Sequence, residues 1–452
     1  MEQELRISQR AKQYPASGIR KMFDLAAQYP EAIKLTVGEP NFDTPQYIKD
    51  AAKRALDEGQ THYAPNAGTT ELREAVAAKY RKQYWEGYTK DHVIITVGAM
   101  EGLFLAMMTL LDPGDEILVP DPCFPNYYGQ ASCIGARAVP VPTYEEYDYR
   151  IQAADIEKTV TPRTRAILLN SPCNPTGAVL TKEDILAIAK VAKTHDLWVL
   201  TDEPYDAIVY DGIQPYSMAQ VPEMQDRVMV LNSFSKSYAM TGWRIGYLVA
   251  PEPGYIKKMA QLQEGVASCV STFTQAAAVE ALKNGDEDVA MMGESYDQRR
   301  RFLVHTLREM GLSCFEPYGA FYIFPSIEST GLSRFPVYEE NADDIIGILS
   351  TREYLLNAQA EAPKPMRELL RPAYFVPESV RTDVLFRDMQ SKKVHMSIVV
   401  DEYGGTSGLV TMEDLLEEIV GNIYDEFDPL EDQEIVPLGD NLWRIAGGAD
   451  LD

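Results

Sequence analysis

The twelve residues Ser233-Phe234-Ser235-Lys236-Ser237-Tyr238-Ala239-Met240-Thr241-Gly242-Trp243-Arg244 follow closely on the apolar run 228–231. They place a lysine in a loop just past a strand, among small hydroxyls, with an arginine eight residues further on. A lysine amine in that setting suits a Schiff base with an aldehyde cofactor, and the hydroxyls and guanidinium suit that cofactor's phosphate. Taken alone, the segment reads as readily as a surface lysine in a serine-rich loop. The surrounding chain decides between the two.

Outward from this loop, apolar runs at 93–97, 116–119, 166–169, 197–200, 228–231 and 245–249 read as strands. Helical patterns at 69–82, 100–111 and 182–195 lie between several of them, the last behind a cap at Thr181. Continuous apolar strands separated by helices predict an α/β domain with a mainly parallel sheet covered on both faces. Ligands of such sheets sit at the carboxyl ends of the strands, so the loops that follow strands are where chemistry belongs. The stretches 286–310, 313–316 and 320–325 read as the start of a smaller α+β unit.

Four loops after strands carry suitable groups. Gly98-Ala99-Met100 opens a helix after 93–97 and offers backbone N–H groups to a phosphate, although a Gly-Ala step often serves only close packing. In Asn170-Ser171-Pro172-Cys173-Asn174-Pro175-Thr176-Gly177, the Asn-Pro step is a candidate cis bond that aims the Asn174 amide at a ring oxygen. In Asp202-Glu203-Pro204-Tyr205, the carboxylate suits a pyridine nitrogen and the phenol suits the ring oxygen; the plainer alternative is a capping Asp beside a packed tyrosine. Arg244 and Ser233 suit the phosphate, and Phe124 suits the ring face or the core.

The bulk numbers agree with a globular protein of two or three units: 452 residues, 45% hydrophobic and 24% charged. The net charge of −26 argues against a nucleic-acid surface. Five scattered cysteines without C-x-x-C spacing read as free thiols of a reducing cytoplasm, and five histidines show no metal-ligand spacing. No stretch reads as a membrane span, and MEQELRISQR does not read as a signal sequence. The charge is uneven. Residues 333–452 carry 10 Lys+Arg against 25 Asp+Glu, leaving 32 against 43 for residues 1–332, which predicts a junction near residue 332.

With these residues in view, the chain from about residue 10 to 330 resembles a class I/II pyridoxal-phosphate aminotransferase of fold type I. The resemblance rests on LTVGEPNFDTP (35–45), YAPNAGTTELR (63–73), NSPCNPTG, TDEPY and SFSKSYAMTGWRIGY. It implies that Lys236 forms the Schiff base and shuttles protons, and that Asp202 pairs with the pyridine nitrogen. Asn174 and Tyr205 then contact the ring oxygen, while Ser233, Arg244, Ala99 and Met100 hold the phosphate. Gly38 and Asn174 lie on the substrate side, and Tyr63 reaches the phosphate of a neighbouring subunit in a homodimer. The implied reaction moves an amino group from an L-amino acid to a 2-oxo acid in the cytoplasm. The family continues past GAFYIFP (319–325) with an arginine-bearing stretch for the substrate carboxylate that is absent here, so impaired turnover is the alternative.

Residues 334–452 change character. Gly-Ile-Leu-Ser-Thr-Arg-Glu (347–353) echoes Gly-Leu-Val-Thr-Met-Glu-Asp (408–414), each after an apolar strand and before a helix. The region resembles the CBS pair of CorC/HlyC-type proteins, joined to the first part as a fusion. The resemblance implies an adenine-nucleotide site at Thr411 and Asp414, or a packing module without a ligand. The expected division is 1–45 (N-terminal segment of the small domain), 46–285 (cofactor-binding large domain), 286–332 (incomplete small domain), 333–431 (CBS-like module, its first repeat incomplete) and 432–452 (start of a transporter-associated domain).

Overall fold

The alternation of buried residues along four neighbouring strands explains the layers. Leu118, Ile167, Leu169, Val199 and Val230 join one buried cluster; Ile117, Val119, Ala166, Leu168, Leu200 and Leu231 join a second. Successive side chains of a strand point to opposite faces, so a strand apolar at every position needs cover on both. The computed structural model supplies it. It describes Ile7, Ser8, Tyr14 and residues 38–326, then 334–338, 344–358, 364–401, 405–412, 414–416, 435–439 and 442–445. Most of the expected segments 1–45 and 432–452 therefore lies outside the described residues. The chain divides into two units, Met1–Ser326 and Ile327–Asp452.

The first unit runs α1 (Gln46–Asp57), α2 (Thr70–Gln83), β1 (Val93–Thr96), α3 (Gly98–Leu110), β2 (Glu116–Asp121), α4 (Asn126–Ile134), β3 (Arg137–Pro142) and α5 (Ala153–Thr159). It continues with β4 (Thr164–Asn170), α6 (Lys182–Thr194), β5 (Trp198–Asp202), β6 (Val228–Ser233), β7 (Gly246–Val249), α7 (Pro253–Glu264), α8 (Thr272–Asn284) and α9 (Asp286–Glu309), and ends in the short pair β8 (Ser313–Cys314) and β9 (Pro325–Ser326). The sheet order is β1-β7-β6-β5-β4-β2-β3. It is parallel from β3 to β6, whereas β7 runs antiparallel to both β1 and β6. Helices α2, α6 and α8 contribute Leu72, Val76, Ile188 and Ala278 to one core; α3, α4 and α7 contribute Leu105, Met107, Ala131 and Met259 to the other.

Thr181 caps α6 as expected: its hydroxyl accepts from the N–H of Asp184, whose carboxylate accepts from the N–H of Thr181 in return. Strand β3 was not among the expected strands. Its Pro140 and Pro142 speak against a central strand, and they are tolerated because β3 is the sheet's edge. Among the described residues no helix is long and apolar enough to cross a membrane.

The second unit contains the antiparallel pair β10 (Arg334–Tyr338) and β11 (Ile345–Ser350), then α10 (Thr351–Ala358), α11 (Met366–Leu369), β12 (Tyr374–Pro377), α12 (Thr382–Lys392), β13 (Met396–Val400) and β14 (Thr406–Thr411). Strands β12 and β13 are parallel with α12 as their crossover, and β14 returns antiparallel; Val376, Leu385, Met389 and Leu415 form their core. A separate hairpin, β15 (Ile435–Gly439) with β16 (Leu442–Ile445), follows. Both copies of the sequence echo are strand-to-helix turns, at Ser350/Thr351 and at Thr411/Met412.

One glycine holds the first unit's layers in register. A Cβ on Gly246 would lie 2.6 Å from the Ala99 N and the Gly98 carbonyl carbon, and 2.8 Å from the Asn232 O. All three are backbone atoms that cannot swing aside. Gly246→Ala should cost about 3 kcal/mol in urea unfolding, the upper range for forced overpacking. Gly254→Ala, in open space on α7, should instead gain about 0.5–1 kcal/mol from helix propensity.

Candidate active site

The close approach at Gly246 brings the start of α3 against the ends of β6 and β7. Gly98 has φ +72, and a Cβ there would sit 2.6 Å from Nη2 of Arg244. A side chain at position 98 would therefore displace the guanidinium from the N-terminus of α3. Arg244 is itself left-handed, with φ 51, and its Nη1 donates to the Thr241 carbonyl at 3.0 Å. Ser233 is buried at the end of β6 and pairs in register with Gly246, and the Met100 carbonyl accepts from Nε2 of Gln130 at 2.8 Å. Residues 98–100, Ser233 and Arg244 thus share one rim, with N–H groups and a cation suited to an anion.

Asp202 closes β5, and strand parity decides where it points. Thr201 and Glu203 face the opposite layer, where Glu203 Oε1 accepts from Thr201 Oγ1 at 2.7 Å and Ser217 Oγ at 2.6 Å. The Asp202 carboxyl faces α4 and accepts from the Tyr127 hydroxyl at 2.8 Å through Oδ2. Its Oδ1 is buried and has no hydrogen-bond partner among the described residues. Burial raises this carboxyl to about 6 against the smaller opposing pull of Tyr127. Phe124 packs edge-on to Tyr127 with ring centroids 5.7 Å apart. Asn170 Nδ2 donates to the Asp202 carbonyl at 2.9 Å, and Asn170 Oδ1 accepts from the Asn174 N–H at 2.7 Å; the Asn174–Pro175 bond is cis.

Lys236 follows β6, the neighbour of β5. Its Nζ donates to the Gly38 carbonyl and lies 5.8 Å from the Tyr205 ring centroid and 5.4 Å from that of Phe321. Burial, helped by the charge of Arg244 and opposed by Glu39, lowers this amine to about 8. An amine so placed is neutral far more often than an exposed lysine, and the neutral form is the nucleophile. The Tyr205 hydroxyl is 2.5 Å from that of Tyr322. Residues 38–44 are pinned alongside: Thr241 Oγ1 donates to Glu39, Trp243 Nε1 donates to Thr44 Oγ1, and Arg299 of α9 donates to Asn41. A cavity of about 730 Å3 flanks this segment, lined by Glu39, Phe42, Ala239, Trp243 and Phe273 among others.

The structure thus gathers Lys236, Asp202, Tyr205, Asn174, Phe124, Ser233, Arg244, Ala99, Met100 and Gly38 around the carboxyl ends of β1, β4, β5 and β6. Tyr63 is not part of that cluster; it is 91% exposed between α1 and α2. Tyr127, Asn170 and Tyr322 were not anticipated from sequence. Each acts through a contact made far along the chain; Asn170 opens NSPCNPTG and Tyr322 lies in GAFYIFP, but neither motif reveals the partner. In the second unit, Thr411 and Asp414 do meet: Thr411 Oγ1 donates to Asp414 Oδ2 at 2.8 Å, and the Asp414 N–H donates to Thr411 Oγ1 at 3.2 Å.

A strand-end lysine, a buried carboxyl with one unpartnered oxygen and a glycine-made cradle beside an arginine define a class of protein that binds a phosphorylated aldehyde with a basic ring. Residues 30–356 match the class I and II aminotransferases, and residues 366–421 match the CBS domain. The chain is 46% identical over 330 residues to aromatic-amino-acid aminotransferase 2 of Thermococcus litoralis, covering 72% of this chain and 85% of that protein. It is 45% identical over 320 residues to the aspartate aminotransferase of Pyrococcus abyssi, covering 70% and 82%. The crystal structure of the aromatic aminotransferase from Pyrococcus horikoshii OT3 superposes with a TM-score of 0.65 at 44% identity, covering 70% of this chain and 84% of that one. The chain belongs to the class I and II aminotransferase family. It is a pyridoxal-phosphate enzyme of fold type I that also carries a CBS domain.

The unpartnered Asp202 oxygen has a measurable signature in cofactor-free protein. Below about pH 4 the carboxyl is protonated folded or unfolded; between 4 and 6 only the folded chain keeps the proton, so stability falls as pH rises. Asp202→Asn removes that loss. Its stability advantage over wild type in urea unfolding should grow from near zero at about pH 4 to about 3 kcal/mol above pH 6. A difference that does not change with pH refutes this account of Asp202.

Proposed function

We propose that the first unit transfers an amino group from an L-amino acid to a 2-oxo acid, with Lys236 as the residue that binds the cofactor covalently. The observation that carries this reading is the buried, unpartnered Oδ1 of Asp202 at the strand ends that also hold an amine lowered by burial to about 8. The residues fit pyridoxal phosphate. Asp202 would hold the ring nitrogen, Asn174 and Tyr205 the ring oxygen, Phe124 the ring face, and Ser233, Arg244 and the N–H groups of Ala99 and Met100 the phosphate. When bound, the cofactor supplies an electron sink for the bonds at the substrate Cα.

The protein's own residues do the rest. Lys236 Nζ, once released by substrate, moves a proton at the substrate Cα. Tyr205 supplies an O–H donor on a ring centred 5.8 Å from Nζ, and the aromatic walls of Tyr205 and Phe321 limit the access of water to the amine. Gly38 presents its backbone to the substrate from the 38–44 segment. Tyr63, so exposed in one subunit, would serve the phosphate site of a second copy in a homodimer.

Purified wild type should be yellow, and Lys236→Ala should lose the visible band that marks covalent attachment together with more than about 100-fold of the transfer rate. A colourless wild type overturns the reading. Because the similar proteins are named for aromatic amino acids and for aspartate, half-reaction spectra with phenylalanine, tyrosine, aspartate and glutamate identify the donor. A yellow protein whose spectrum none of them changes would be the impaired form, in which positioning of the substrate carboxylate is lost.

A second reading concerns residues 366–421. Thr411 and Asp414 stand together at the end of β14 with their polar atoms near the surface, an arrangement suited to a ribose. Calorimetric titration of the full chain with AMP and ATP should give heat that Thr411→Val with Asp414→Ala abolishes. No heat for either nucleotide leaves a packing module.

A further inference from the structure

Lys236, Gly38, Tyr322 and Tyr205 form a closed ring of contacts. Lys236 Nζ donates to the Gly38 carbonyl. A Cβ on Gly38 would lie 2.3 Å from the Tyr322 hydroxyl oxygen and 2.6 and 2.8 Å from two ring carbons. The demand for glycine there comes from the space that Tyr322 fills. The Tyr322 hydroxyl meets that of Tyr205 at 2.5 Å, and the two rings cross at 81° with centroids 5.7 Å apart.

Two phenols in contact share one of their two protons. If Tyr205 gives its proton to Tyr322, Tyr205 has no donor left for a ligand. If Tyr322 gives its proton to Tyr205, the Tyr205 O–H is free to point into the site and is strengthened as a donor by the bond it accepts. We propose that Tyr322 is a positioning residue for Tyr205, donating to the Tyr205 oxygen so that the Tyr205 proton faces the ring oxygen of the bound cofactor, and that Gly38 keeps the space this needs. The proposal rests on the reading of Tyr205 given above and goes beyond it by assigning Tyr322 and explaining Gly38.

A donor at the ring oxygen spreads negative charge and eases loss of the proton from the neighbouring nitrogen, so the pH at which the bound cofactor's visible band titrates reports on it. Tyr322→Phe keeps the ring and its packing but removes the donor. Its titration should move upward by at least about 0.5 pH unit, roughly a threefold change in the protonation equilibrium. Tyr205→Phe should move it further, and the Tyr205→Phe/Tyr322→Phe pair should equal Tyr205→Phe alone. A Tyr322→Phe titration that overlays wild type overturns the proposal. So does an equal shift from Tyr322→Phe in the Tyr205→Phe background, because Tyr322 would then act by packing. Should the Phe variant not fold, Tyr322→Leu is read in the same way. A wild type without any titrating visible band overturns the underlying reading of the site as well, and so separates the two failures.

Discussion

A carboxyl group taken out of water with one oxygen left unpaired is unfavourable in its charged form, and the site of this enzyme is organised around that condition at Asp202. Tyr127 satisfies one oxygen, and burial acting on the other raises the group toward neutrality. A protonated ring nitrogen would complete the set of partners and restore the charge. The same burial acts in the opposite sense on Lys236, where it favours the uncharged amine. One low-dielectric rim thus prepares an acid that seeks a cation and an amine that is ready to attack. Neither state would be stable at an exposed surface.

The sheet builds this rim by parity and close approach. Asp202 and Glu203 are consecutive, yet they serve different layers because strand side chains alternate. Glu203 is enclosed by Thr201 and Ser217 on the α2 side, and Asp202 by Tyr127 on the α4 side. Gly246 then lets α3 approach the strand ends closely enough to set its N-terminus beside Ser233, and Gly98 lets Arg244 lie against that N-terminus. Two absent side chains therefore do as much to shape the anion cradle as the arginine does.

The strands and the loops after them were legible in the sequence because two-sided burial leaves unbroken apolar runs, and the cap at Thr181 was legible because it is local. Strand β3 was not, since Pro140 and Pro142 read as breakers until its edge position is known. The contact partners were not legible either. Tyr127 meets Asp202 across 75 residues and Tyr322 meets Tyr205 across 117, and no periodicity marks such pairs. The change of charge near residue 332 signals a second unit. The division of contacts at Ser326 and Ile327 and the family match running to residue 356 mark that passage differently, because charge density, packing and ancestry are separate properties of a chain.

The bonds that pin residues 38–44 carry a consequence for the order of events during synthesis. Lys236 to Gly38 spans 198 residues, Thr44 to Ala239 spans 195, Trp243 to Thr44 spans 199 and Thr241 to Glu39 spans 202. While the ribosome is still making β2 to β6, this early segment has none of these partners. The parallel strands β2 to β6 can assemble meanwhile from segments close together in the chain, whereas contacts of such long range bear the full entropy of closing a large loop. The amine, the wall and the cavity beside them come together only once the serine-rich loop and Phe321 have left the ribosome, so chemical competence arrives late, after the parallel strands β2 to β6 are in place.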